Sequence, residues 1–130
     1  GHLFPVGSRS VAREKGLFAI NERFVTVLDG PAGLAVVVMV AAVGVGHITA
    51  SYDPEVATHA RGFARGCVRN KKYSDPIPIN RGDEIGIFNL GSTTIIVFEP
   101  GRVNLHNLVA GKPVRVGSSI GRFVATDVVS

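Results

Sequence analysis

A mainly β domain, a sandwich or barrel with little helix, is the fold class this sequence predicts, and three observations predict it. Valine, isoleucine and threonine gather in short apolar runs, and such side chains fit a pleated surface better than a helix. Sixteen glycines and seven prolines punctuate those runs, so turns come too often for long helices. The 130 residues are 45% apolar, enough to bury a core and too much for a disordered chain. That length suits one domain or a segment of one, and a single unit over residues 1–130 is expected.

The elements follow in order. Residues 1–16 read as an irregular entry, broken at Pro5, Gly7 and Gly16. Phe18 to Asp29 is strand-prone, with Phe24, Val25 and Val27 as apolar positions. Asp29-Gly30-Pro31 is a turn, and Leu34 to Thr49 then pairs back as a hairpin bent near Gly44 and Gly46. The longest apolar run, Leu34 to Val45, is shorter than the roughly 20 residues a membrane-spanning helix needs. Its branched residues suggest buried strand instead, and strands apolar on both faces belong between two sheets.

Asp53-Pro54-Glu55 has the chemistry of a short helix start, with Asp53 as N-cap and Pro54 in the first position. The stretch on to Asp75 reads as a basic loop. Strands are expected at Ile77–Ile79, Ile85–Leu90 and Thr93–Phe98, with turns at Asn80-Arg81-Gly82-Asp83 and Pro100-Gly101. Residues 102–110 are open between a short helix and an extended segment. Gly111-Lys112-Pro113 turns into Val114–Val116. The phrase G-x-x-V-x-V-G-x-x-I-G over residues 111–121 resembles pieces of barrel–sandwich hybrid domains. Neither an internal repeat nor a low-complexity segment is present.

Fourteen basic against ten acidic residues give a net charge of +4. The densest cluster is Arg61, Arg65, Arg69, Lys71 and Lys72, with Phe63 and Tyr73 nearby. It reads first as a solvated basic loop and second as a contact for an anionic lipid surface. No nucleic-acid-binding pattern accompanies it, so no nucleic acid partner is expected. Cys67, the one cysteine, excludes a disulfide within the chain and reads as a buried, inert thiol. No metal site is expected. His2, His47, His59 and His106 each read as surface or packing residues. No signal peptide or anchor occurs in these residues, and the start at Gly1 with Met39 as sole methionine suggests a fragment or processed chain.

The chemistry concentrates at Leu90-Gly91-Ser92-Thr93. A Gly-Ser-Thr run by itself usually marks a turn or bulge between strands. The same run can also attack itself. Gly91 adopts backbone shapes closed to other residues and leaves its carbonyl unshielded, and the Ser92 hydroxyl stands beside that carbonyl. Attack turns the amide into an ester. Elimination then cuts the chain and leaves dehydroalanine, which hydrolyses to a pyruvoyl group with loss of ammonia. The process needs a base and an oxyanion stabiliser, and Thr93 is a candidate for support through its hydroxyl or amide. A pyruvoyl ketone forms a Schiff base with a substrate amine and takes up the electrons freed when carbon dioxide leaves.

The flanking text resembles the phosphatidylserine decarboxylase family over nearly the whole chain. Leu3-Phe4-Pro5-Val6 is similar to that family's "LFPVN", with Gly7 for the Asn. Leu17 to Arg23 is close to "LFxxNERV", with Phe24 for the Val. Val38 to Ile48 resembles "VGAxxVGSI", with Ala41 for a Gly and His47 for the Ser. Arg81 to Thr93 matches "KGEEIGxFxLGST", and Pro100-Gly101-Arg102-Val103 follows in order.

The resemblance implies a self-cleaving precursor, a zymogen of phospholipid biosynthesis, that makes phosphatidylethanolamine from phosphatidylserine. Gly91 and Ser92 form the cleavage site, Ser92 is the catalytic pyruvoyl precursor, residues 1–91 end the β chain and residues 92–130 form the α chain. It further implies an anionic membrane surface as partner and a peripheral place on the cytoplasmic face of a bacterial cell membrane. The family carries an aspartate and an HxxH motif upstream of the point where this chain begins. The aspartate and a histidine serve, with the serine, in self-cleavage, and a histidine serves in decarboxylation. None of the four histidines here falls on that motif. Slow or absent self-cleavage is therefore expected of these residues alone, with exposed apolar surface where the upstream part packs. The alternatives are a non-catalytic β-hybrid carrier or scaffold module, for which Lys112 in Gly-Lys-Pro is a poor attachment site, and a pyruvoyl decarboxylase of a soluble amino acid.

Overall fold

The computed structural model describes residues 1–44, 46–58, 66–89, 93–106 and 108–124. Strands dominate them, as composition predicts. Helices α1 (Ser8–Arg13) and α2 (Leu17–Ile20) precede strands β1 (Arg23–Gly30), β2 (Gly33–Val40), β3 (Ile48–Ala50), β4 (Gly86–Phe88), β5 (Thr93–Phe98), β6 (Val103–Leu105) and β7 (Gly121–Phe123). They form a three-stranded sheet in the order β1-β2-β5 and two pairs, β3-β4 and β6-β7. The chain divides into two compact units, one of Gly1–Thr26 with Val38–Ile95, the other of Val27–Val37 with Ile96–Ser130.

In the first unit the core comprises Leu17, Met39, Val40, Ala41, Ala42, Ile48 and Ala50, all buried. These residues come from α2, the end of β2, the two residues that follow it, and β3. Asn21, fully buried, ties them to the chain start. Its Oδ1 accepts from the Phe4 amide at 3.0 Å, and its Nδ2 donates to the carbonyls of Phe4 at 2.9 Å and Ala41 at 3.0 Å. Satisfied in this way, an amide can lie in a core at little expense. His2 bridges the Asn21 backbone in parallel and stacks on Phe4 with ring centroids 5.2 Å apart.

In the second unit β6 and β7 run antiparallel with Val103 opposite Phe123 and Leu105 opposite Gly121. The Val124 amide bonds the Arg102 carbonyl and the His106 amide the Ile120 carbonyl, which lengthens the ladder at both ends. Gly33, at φ +81, turns the chain from β1 into β2, and a β-carbon there would collide with the Glu99 carboxylate. That carboxylate accepts from the Leu34 amide at 3.2 Å. Leu105, Val114, Val116 and Phe123 stand more than half exposed.

Several expectations are corrected. The entry segment contains α1, because residues 8–13 hold neither Gly nor Pro and Arg13 complements the helix dipole in the last turn. The strand-prone run from Phe18 begins as a helical turn: Gly16, at φ +67, reverses the chain, and the Ala19 and Ile20 amides bond its carbonyl. Asp53-Pro54-Glu55 forms a turn rather than a helix. The Val56 amide bonds the Asp53 carbonyl, and the following backbone returns to β3 through Ala50–Val56 and Thr58–Ile48 bonds.

Ile77–Ile79 is not a strand, since Pro76 and Pro78 remove alternate donors. After the turn at Gly111-Lys112-Pro113, Val114–Val116 is irregular, lying between Pro113 and Gly117 (φ +83) with Val116 wholly exposed. Cys67 is exposed, not buried, because it lies on the irregular segment 66–72, which is exposed throughout. The apolar run from Leu34 is buried only from Met39 onward, where β2 enters the core.

Candidate functional site

The Gly91–Ser92 bond joins two strands that belong to different sheets. β4 pairs antiparallel with β3, placing Ile48 opposite Phe88, Thr49 opposite Ile87 and Ala50 opposite Gly86. β5 lies beside β2. Strand β4 can approach β3 so closely because residue 86 is glycine: a β-carbon there would lie 2.8 Å from the Thr49 carbonyl oxygen and 2.9 Å from Met39 Sδ. Strong strand formers on both sides, Ile87 and Phe88 before and Thr-Thr-Ile-Ile-Val-Phe after, lie in the strands that flank the link. Leu90, Gly91 and Ser92 themselves lie outside the described residues. Thr93 opens β5 and is half-buried.

One histidine contacts Asn89, the last described residue before this link. His47 precedes β3, and the Asn89 amide donates to its carbonyl at 3.2 Å, continuing the β3–β4 ladder by one rung. The Asn89 side chain adds two contacts: Nδ2 lies 2.9 Å from the same carbonyl and 3.1 Å from His47 Nδ1. Both residues are exposed. The other histidines are elsewhere. His2 packs on Phe4, His106 Nε2 lies 3.3 Å from Ser119 Oγ, and His59 lies outside the described residues. Among the described residues no cluster of metal-ligating side chains occurs.

A second polar cluster went unforeseen. The Asp53 side chain, buried in the first unit, accepts from Lys71 Nζ at 2.6 Å and from the Tyr73 hydroxyl at 2.6 Å through Oδ2, and from the Glu55 amide at 3.0 Å through Oδ1. Lys71 also donates to Glu55 at 2.9 Å. Tyr73 meets Tyr52 edge-on at 6.4 Å between centroids, and the Tyr52 hydroxyl bonds Thr26 at 3.1 Å. The cluster thus ties Lys71 and Tyr73 to Asp53 and Glu55. Of that segment, Arg69 and Lys72 are exposed, while Arg61, Phe63 and Arg65 lie outside the described residues. Asp53 was legible only as a local cap. Nothing in the local pattern pairs it with residues 18 and 20 positions on.

The cluster sets a pH range. The Lys71 ammonium, and then the Tyr73 hydroxyl, hold the Asp53 carboxyl at about 2 instead of 3.8. Burial, and then the bond to Asp53, push the Tyr73 hydroxyl up to about 12 from 10.0. The Asp53 bond raises Lys71 further still. A lowered carboxyl contributes stability above its ordinary value and loses it as pH falls through its folded value; a raised phenol contributes below its ordinary value and loses it as pH rises. Thermal midpoints should therefore hold level from pH 3.8 to 10.0, fall toward about 2 and fall again toward about 12. Asp53→Asn should remove the acid part of that dependence, and an unchanged acid limb in this variant contradicts the assignment.

Among the described residues no helix is long and apolar enough to cross a membrane. A family model described as phosphatidylserine decarboxylase matches residues 1–122. The chain is 46% identical over 123 residues to the phosphatidylserine decarboxylase proenzyme of Anaeromyxobacter sp. (strain K), covering 93% of this chain and 43% of that protein. It is 42% identical over 122 residues to the proenzyme of Myxococcus xanthus, covering 93% and 42%. The proenzyme of Halorhodospira halophila is 40% identical over 128 residues, with 98% and 42% covered. The chain therefore spans less than half the length of these curated relatives. No solved structure matches it.

Proposed function

The chain belongs to the phosphatidylserine decarboxylase family, and from that premise we propose that it carries the self-cleavage site and pyruvoyl precursor of an enzyme converting phosphatidylserine to phosphatidylethanolamine. One observation carries the reading: Leu90-Gly91-Ser92-Thr93 links two strands, β4 and β5, inside a family match that runs from residue 1 to 122.

The proposed step balances without an added oxidant or reductant. Ser92 Oγ adds to the Gly91 carbonyl, and the Gly91–Ser92 C–N bond breaks to leave an ester and a free Ser92 amine. Loss of the Ser92 α-proton expels the Gly91 carboxylate, and the new β chain ends there. The remaining enamine becomes an imine, takes up one water and releases one ammonia. The α chain then begins with a pyruvoyl group at position 92. The residues bracketing the bond suit a group made in place, because strands fix both sides and polar side chains, Asn89 and Thr93, border it. Once formed, the pyruvoyl group supplies a ketone that takes up a substrate amine and accepts the electrons freed by loss of carbon dioxide. The family's upstream aspartate and HxxH histidines are proposed as the machinery that moves the protons.

Phosphatidylserine is an anionic lipid, and the net charge of +4 with exposed Arg69 and Lys72 supports docking on an anionic membrane surface, at the cytoplasmic face of a bacterial cell. Co-sedimentation should show binding to phosphatidylserine vesicles that weakens between low and high salt. Equal retention on neutral phosphatidylcholine vesicles counts against this placement. Intact-mass analysis tests the reading as a whole: the α chain should be lighter than its serine-started form by the mass of one ammonia, because the water lost in elimination is regained in hydrolysis.

A further inference from the structure

The connection between β6 and β7 carries a surface of mixed apolar and basic character. The two strands run antiparallel, and the His106 amide bonds the Ile120 carbonyl at 3.0 Å at the root of the connection. Beyond that root, residues 108–119 are exposed throughout. Two turns shape the loop. The Lys112 amide bonds the Val109 carbonyl at 3.0 Å with Gly111 at φ +77, and the Ser118 amide bonds the Arg115 carbonyl at 3.0 Å with Gly117 at φ +83. In each turn the glycine stands third, where a positive φ is required.

The side chains on this frame combine two properties. Val109 is 64% and Val114 65% exposed, Val116 is wholly exposed, and Leu108 is 46% exposed. Single exposed apolar residues are ordinary, but these four lie within nine residues of one loop. The charge is of one sign. No acidic residue occurs between Glu99 and Asp127, whereas Arg102, Lys112, Arg115 and Arg122 do. Arg102 lies 3.9 Å from Glu99, and Lys112 and Arg115 have no ion pair among the described residues. The basic segment of the first unit differs, since Lys71 there is held by Asp53 and Glu55. Arg115 also lines a groove of about 490 Å³ with Pro113, Val114, Ser118, Ser119 and Ile120. One guanidinium and two hydroxyls against aliphatic walls suit a phosphate attached to an apolar body.

An anionic bilayer accepts both properties at once. Apolar side chains enter the boundary between headgroups and acyl chains, and Lys and Arg reach the phosphates from there. A second copy of the loop would instead set like charges against each other. We propose that residues 108–119 insert at an anionic lipid surface, with Val114 and Val116 entering the interface and Lys112 and Arg115 on lipid phosphates. The proposal rests on the membrane placement given above and names the part of the chain that makes the contact.

The test uses the full-length gene product that carries this chain, with vesicles of phosphatidylserine in phosphatidylcholine. Lys112→Gln and Arg115→Gln should each weaken binding about fivefold, and together roughly thirtyfold, the usual worth of basic residues at such a surface. Val114→Ser combined with Val116→Ser should weaken it about tenfold, and that loss should persist in high salt. All four side chains are exposed, so urea midpoints should match the native protein. Val116→Trp reads insertion directly. Its fluorescence, taken as the difference from the parent protein, should shift to the blue on these vesicles and be quenched by lipids brominated on their acyl chains.

Unchanged binding in either pair of variants overturns the proposal, as does an introduced tryptophan that neither shifts nor is quenched. A tryptophan already blue-shifted without lipid shows that another part of the protein covers the loop, and a lower oligomeric mass in the valine variant shows that a second copy does; either result overturns it. Native protein that stays off phosphatidylserine vesicles ends the membrane placement itself. Native protein that binds no better than its loop variants ends only the role of the loop.

Discussion

Replacing Ser92 with alanine should leave the full-length gene product uncut and without the proposed decarboxylase activity. The effect is expected to be complete because the hydroxyl has two uses that no neighbour can assume. On the proposed reading it is the nucleophile that attacks Gly91, and its carbon skeleton becomes the pyruvoyl group. Thr93 cannot substitute, since attack from position 93 would open the Ser92–Thr93 bond and place the new chain start one residue later. Ser92→Thr separates the two uses: it keeps a nucleophile but would yield a bulkier keto group, so splitting can survive while activity falls. Activity that persists in Ser92→Ala refutes the pyruvoyl assignment, whatever the mass of the chain.

Asn21→Ala should be the most damaging single change to the fold outside the cleavage site. It deletes one acceptor and two donors at a fully buried position, leaving the Phe4 amide, the Phe4 carbonyl and the Ala41 carbonyl without their partner. Each orphaned group is worth about 1–3 kcal/mol, and a loss of about 4 kcal/mol is expected once partial access to water is allowed for. Domains of this size are stable by roughly 5–15 kcal/mol, so the variant should be close to unfolding at room temperature. Urea titration reads the change directly. A loss under about 1 kcal/mol would mean that water replaces the side chain and that Asn21 does not organise the unit.

The same residue shows what the sequence could and could not reveal. The segments around Phe4, Asn21 and Ala41 were recognised separately, by resemblance, as Leu3–Val6, Leu17–Arg23 and Val38–Ile48. Their meeting at one amide is a tertiary fact that no local pattern contains. Strand β5 and the turn at Pro100-Gly101 were legible, because a run of branched residues bounded by a turn pair has few other uses. The short helices were not, since Leu17–Ile20 is as apolar as a strand and only Gly16 at positive φ turns it into a helical turn. Asp53 carries visible capping chemistry, but its folded partners, Lys71 and Tyr73, lie in a stretch that reads as solvated loop.

The candidate site divides in the same way. The Gly91–Ser92 bond stood out because its chemistry is carried by adjacent residues. His47 did not, because its partner Asn89 is 42 positions away and becomes a neighbour only through the β3–β4 register. The sequence reads every histidine as a surface or packing residue. Exposure bears that out for His47, yet its Nδ1 is engaged at the last rung before the cleavage link.

Intact-mass analysis of the folded, full-length gene product tests the central claim most directly. The account predicts two chains, one ending with a free carboxylate at Gly91, the other starting at position 92, lighter by one ammonia than a serine-started chain and blocked to amine labelling. A single uncut chain, or a second chain that starts with an intact serine amine, would contradict it.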